Sequence, residues 1–174
     1  MTTTDQHPHE AQHPQEPSSI RLDFDALAPR FAAALGRMDA LAGVGLDDRL
    51  RDLVRIHAST INGCAYCVDM HTKDAVAGGE SLQRITGLGV WRETDWYSPA
   101  ERAALALTEA VTVIHDDHVP AVVVEDAARH FDPDALAQLI ALVVTINAWN
   151  RIGVTTRCWE PGSYEVEESN RGND

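Results

Sequence analysis

Lysine is nearly missing from this chain: Lys73 is the single one among 14 Lys and Arg residues, and these face 27 Asp and Glu. The formal net charge of −13 repels phosphate backbones and anionic lipid headgroups, so neither a nucleic acid nor a membrane surface is an expected partner. Cysteine is also scarce. Cys64, Cys67 and Cys158 are too few and too unevenly spaced for the disulfide framework of a small secreted domain, which points to a reducing compartment. The first nineteen residues lack both a basic start and an apolar run, so they do not read as a signal peptide; we expect a cytoplasmic protein with a polar, disordered tail at 1–19. No stretch of alternating apolar and polar residues bounded by turn signals occurs, and no hairpin dipeptide, which excludes a sheet and predicts an all-α fold.

What is present is ordinary globular material. Hydrophobic residues make up 44% and charged residues 24%, enough apolar surface for one core, and 174 residues suit one domain. We place that domain at 20–164, with a polar C-terminal tail at 165–174. Leu27, Phe31, Ala34, Leu35 and Met38 recur at helical spacing and predict a helix over 24–38. Asp47 suits the cap of a second, through which Leu50, Leu53, Val54 and Ala58 form a stripe that Asn62-Gly63 ends. A third segment, 64–77, closes on Gly78-Gly79, and Ser81 suits the cap of a short helix after it. Ser98-Pro99-Ala100-Glu101 joins a capping box to a proline at the first helical position. A shorter helix is expected over 121–131. Asp132-Pro133 opens a last helix that is apolar nearly all round from Ala135 to Trp149; it is shorter than a membrane span and carries amides, so it belongs in a core or a subunit interface.

The chemistry lies in Asn62-Gly63-Cys64-Ala65-Tyr66-Cys67-Val68-Asp69-Met70-His71. On a helix, Cys64, Cys67 and His71 stand at i, i+3 and i+7 and project from one face. The turn before Cys64 places the pair at a helix start, where free N–H groups favour negative charge; a nearby imidazole adds a base, and both favour a thiolate. Two cysteines three apart can close a disulfide, trapping a sulfenic acid on one before further oxidation, so the pair reads as a two-electron redox switch. Two other readings stay open: half of a structural zinc site, although no second ligand pair is evident, and two inert buried cysteines. Val68 after the second cysteine closes haem attachment, and no βαβ pattern surrounds the motif to suggest a thioredoxin-like domain.

The stretch from Leu53 to Lys73, with Ile146-Asn147-Ala148-Trp149-Asn150-Arg151 later, resembles the alkylhydroperoxidase AhpD-like proteins of the carboxymuconolactone decarboxylase superfamily, over about 22–164. The resemblance implies an all-helical homo-oligomer, a trimer or hexamer, that reduces peroxides or exchanges disulfides through its thiols with no metal or organic cofactor. It assigns Cys67 as the peroxidatic cysteine, Cys64 as its resolving partner and proton donor, and His71 as a proton relay. It also makes Asp52, which stands where the family carries glutamate, the terminal base. The substrate is then a peroxide or disulfide, and the partner an external thiol or dithiol reductant. Alternatives are a decarboxylase-type enzyme acting on a lactone and a non-enzymatic redox-sensing module. His57 and Thr60 depart from the arginine and glutamine usual in the family. His57 reads as a packed or solvated helix histidine, His115-Asp116-Asp117-His118 as a solvated loop after a helix end, Cys158 as a small filler, and Trp149 and Trp159 as core or interface aromatics. His7, His9 and His13 sit on a flexible polar segment without preorganised geometry for a metal.

Overall fold

The computed structural model describes residues 20–166, and every regular element among them is helical. The expected tail at 1–19, with its three histidines, and all but the first two residues of the one at 165–174 lie outside the described residues. The predicted first helix is two: α1 (Phe24–Leu27) and α2 (Pro29–Leu41). Pro29 has no N–H to continue a helix, and it pushes the preceding Ala28 to φ −130°, out of the helical region. Helix α3 (Asp48–Asn62) starts where Asp47 accepts the Leu50 N–H at 3.1 Å. Helices α4 (Ala65–Ala77) and α5 (Leu82–Gly87) follow, the latter capped by Ser81. A 3-10 segment, Leu88–Glu93, that the sequence pattern does not announce leads on.

Helix α6 (Pro99–Thr112) carries the full capping box: Glu101 N–H donates to Ser98 Oγ at 3.2 Å and Ser98 N–H to Glu101 Oε2 at 2.7 Å. Short helices α7 (Ile114–Asp117) and α8 (Ala121–Ala127) lead to α9 (Pro133–Thr156), opened by Asp132. Helix α9 runs seven residues beyond Trp149. Its 24 residues are long and apolar enough to cross a membrane by length and composition, but Leu139, Leu142, Val143, Ile146, Asn147 and Asn150 are buried against other helices.

Helix α3 is the axis of the fold. Leu50 and Val54 face a cluster with Ala104, Leu107, Leu139, Leu142 and Val143, and Leu53 and Ile56 face another with Ala75, Leu88, Trp91 and Leu105. Apolar residues on two sides let α3 contact α4, α6 and α9 at once. The chain's single lysine fastens the C-terminal segment to α4: Lys73 Nζ donates to Asp69 Oδ2 and to the Tyr164 carbonyl, both at 2.9 Å, while Tyr164 Oη donates to Asp74 at 2.7 Å.

Candidate functional site

The site is built on the turn between α3 and α4. Gly63 takes φ +69°, a left-handed conformation that costs a residue with a Cβ roughly 1–2 kcal/mol. Its N–H then reaches the Thr60 carbonyl at 3.2 Å and the Cys64 N–H the Ser59 carbonyl at 3.0 Å, the paired bonds of a Schellman ending. Cys64 is thereby the N-cap of α4, one position earlier than a place in its first turn, and Cys67 occupies that first turn. A buried amide cluster holds the turn down. Asn62 Nδ2 meets Asn147 Oδ1 at 3.0 Å and Asn150 Oδ1 at 2.9 Å, and Asn150 Nδ2 donates to Ser59 Oγ at 3.0 Å.

Cys64 and Cys67 are joined as a disulfide with their Cα atoms 5.3 Å apart, and each is 2% exposed. The Cys64 sulfur lies against α9 at Gly153: a Cβ there would stand 3.1 Å from Cys64 Sγ and 3.3 Å from the Trp159 ring. Any larger residue would need the sulfur or the indole to give way by a few tenths of an ångström. Cys67 and His71 line one cavity of about 250 Å³ with Gly36 and Asp39 of α2, Tyr66 and Met70 of α4, Ile146 and Trp149 of α9, and Trp159. Arg157, with φ +50°, turns the chain after α9 so that Trp159 reaches Tyr66 and Trp149, with ring centroids 5.5 and 5.7 Å away. Neither tryptophan is merely a core or interface aromatic; both are walls of this cavity.

His71 is held neutral. Burial pushes its pKa from 6.5 down to about 3, and the nearby Arg55 guanidinium adds to the effect. Asp52 shifts the other way, its pKa raised from 3.8 to about 6, chiefly by burial and further by Asp74, against the pull of Arg55 and Arg51. Asp52 and His71 are not hydrogen-bonded to each other among the described residues, and Asp52 Oδ2 lies 4.0 Å from where a Cβ on Gly78 would stand, two turns beyond His71. The register of the α3–α4 hairpin explains this. Arg55 and His71 each lie eight residues from Gly63, while Asp52 and Asp74 each lie eleven from it, so two antiparallel helices of equal rise set Arg55 by His71 and Asp52 by Asp74. Arg55 is the residue that this symmetry could have revealed. It leans on Asp39 of the cavity wall at 3.5 Å, and its Nε is buried without a partner.

His57 is buried on another side of α3, not solvated, and does not line the cavity with Cys67. Its Nε2 pairs with Glu109 Oε1 at 3.0 Å, an oxygen that also accepts Trp91 Nε1 at 2.8 Å and Arg92 Nη1 at 2.9 Å. Although partial burial opposes it, these bonds from His57, Arg92 and Trp91 bring the Glu109 pKa from 4.5 down to about 2. Cys158 is free and half-buried. His115 and Asp116, expected in a loop, lie in the short exposed helix α7 and pair at 2.9 Å. Among the described residues no three His, Cys, Asp or Glu side chains are grouped to hold a metal ion.

The sequence profile of the carboxymuconolactone decarboxylase family matches residues 28–110. An uncharacterised Bacillus subtilis protein, YdfG, is 44% identical over 137 residues, 78% of this chain and 93% of its own length. A solved structure from Agrobacterium tumefaciens, of unknown function with a suggested link to the antioxidant defence protein AhpD, superposes with a TM-score of 0.78 at 34% identity, covering 86% of this chain and all of that one. The debrominase Bmp8 superposes with a TM-score of 0.61 at 22% identity over 84% of this chain and 76% of its own, a likeness of fold.

Proposed function

The chain is a member of the carboxymuconolactone decarboxylase family, an enzymatic family, and from that premise we propose that it is a thiol-dependent peroxidase or disulfide reductase of the AhpD-like kind. The observation that carries this reading is that Cys67, bonded to Cys64, opens with a neutral His71 into one cavity. A neutral imidazole can take a proton, and the start of α4 favours the anion left on Cys67. Because burial disfavours a lasting imidazolium, His71 passes the proton on rather than keeping it. Asp52 is the terminal acceptor in this reading, reached through water, since the protein itself makes no direct link.

In the reduced enzyme the Cys67 thiolate attacks the peroxide, an S–O bond forms, the O–O bond breaks, and the departing alkoxide takes a proton to leave as an alcohol. The Cys64 sulfur then attacks Cys67, an S–S bond forms, and the S–O bond breaks to release water. An external dithiol returns the pair to thiols by exchange. The sum is one hydroperoxide and two thiols giving an alcohol, water and a disulfide. This chemistry belongs in a reducing compartment, the cytoplasm, where such donors abound. The reading includes self-assembly as a trimer or hexamer, for which Leu27, Phe31, Met38 and Leu41 offer a stripe of side chains each more than half exposed along α1 and α2.

The test is dithiothreitol-dependent consumption of hydroperoxide. Cys67→Ser is expected to abolish it, and Cys64→Ser to form no intramolecular disulfide and to turn over only as fast as dithiothreitol itself attacks the Cys67 sulfenic acid. Unchanged rates in both variants would overturn the reading. Reversible oxidation without turnover would instead mark a redox-sensing module.

A further inference from the structure

The cavity at Cys67 is far more apolar than a peroxide group requires. Its walls are the rings of Tyr66, Trp149 and Trp159 with Met70 and Ile146, and Gly36 leaves the α2 side open because it has no side chain. The rings already meet one another edge-on and tilted, Trp149 against Trp159 at 66° and Tyr66 against Trp159 at 35°. Aromatic groups prefer such contacts at centroid separations of about 4.5–7 Å, so a flat ring entering from solvent continues a pattern that is present in the wall. Size agrees: an apolar cavity of roughly 150 Å³ holds benzene, and about 250 Å³ leaves room for a ring with a short branched substituent.

Charge narrows the choice. Asp39 is the acidic group on the wall and is offset by Arg55 at 3.5 Å, so the wall carries no net positive charge to hold a carboxylate, and the −13 charge of the whole chain disfavours an anionic ligand. We propose, resting on the peroxidase reading, that this cavity takes a neutral hydroperoxide carrying a single aromatic ring. The ring lies among Tyr66, Trp149 and Trp159, and the O–O group points to Cys67 Sγ. Fatty-acid hydroperoxides and hydrogen peroxide are poorer substrates, the first for its charge and the second for want of a group to fill the walls.

Two measurements test this separately from the chemistry. First, the disulfide form is titrated with 2-phenyl-2-propanol, tert-butanol and octanoate while tryptophan fluorescence is followed, since two of the four tryptophans line the cavity. The phenyl alcohol should saturate with a dissociation constant at least about tenfold lower than that of either other compound, as expected when several apolar carbons gain or lose a fitted wall. Gly36→Phe, at a position where an added Cβ meets nothing within 4 Å, should weaken it by a similar factor. Second, single-turnover oxidation of the reduced enzyme is timed with cumene hydroperoxide and with tert-butyl hydroperoxide; a ratio of about ten or more is expected, falling toward one in Gly36→Phe and in Trp149→Leu. Equal affinities for the two alcohols, tighter octanoate binding or equal oxidation rates would overturn the inference while leaving a peroxidase intact. Selective binding of the phenyl alcohol without peroxide consumption would uphold the aromatic cavity and overturn the peroxidase.

Discussion

The shifted pKa values of His71, Glu109 and Asp52 have opposite consequences for stability. His71 is lowered to about 3, so the stability it supports is complete above the ordinary histidine value of 6.5 and drains away as pH falls from there toward 3. His71→Gln should flatten that acid limb in thermal melts between pH 6.5 and 4, and should slow Cys67 oxidation at pH 7 by about 10²-fold if it carries the proton. Glu109, lowered to about 2, supports stability that is present above 4.5 and lost between 4.5 and 2. Glu109→Gln should cost about 1–2 kcal/mol at pH 7 by denaturant unfolding, modest because the carboxylate is one-quarter exposed and the amide oxygen still accepts. Asp52, raised to about 6, has the reverse sign: its ionisation is disfavoured by the fold, so stability is lost as pH rises through 6. Asp52→Asn should therefore melt about 2–4 °C higher at pH 8, after allowance for solvent screening, and unchanged at pH 4. If Asp52 receives the relayed proton, the same variant loses an inflection near pH 6 in the rate of thiol oxidation.

At the scale of elements, the motif and its turn were legible because short-range rules govern them. Asp47, Ser98 and Asp132 cap the helices they were expected to cap, and Gly63 breaks α3 from α4 at the predicted dipeptide. Gly63→Ala should cost about 1–2 kcal/mol in chemical unfolding, a loss that Gly36→Ala within α2 would not share. The split at Pro29 was readable in principle, yet the apolar spacing across it outweighed one proline. Helix α9 outruns its apolar run, and its last turn is held by the irregular segment before α1, where Arg21 N–H donates to the Thr156 carbonyl at 2.8 Å. The walls at Trp149 and Trp159 were not legible: they come together only through the turn at Arg157, and nothing local marks a tryptophan as core or cavity. Arg55 carries no local mark, being one of several charged residues on α3, although the symmetry of the hairpin about Gly63 places the arginine, not Asp52, beside His71.

For the whole molecule, the α1–α2 stripe bears on assembly. Sedimentation at micromolar concentration should show a trimer or hexamer, and Phe31→Glu with Leu41→Glu should shift it to monomer with the helical circular dichroism retained; a wild-type monomer would remove assembly from the functional reading. The clamp at Lys73 has a practical outcome of another kind. Lys73 carries the single side-chain amine in the chain, and that nitrogen is engaged in fastening the segment at Tyr164. Acylating Lys73 removes the charge and the donor that Asp69 and the Tyr164 carbonyl share, so the modified chain should hold that segment less firmly against α4.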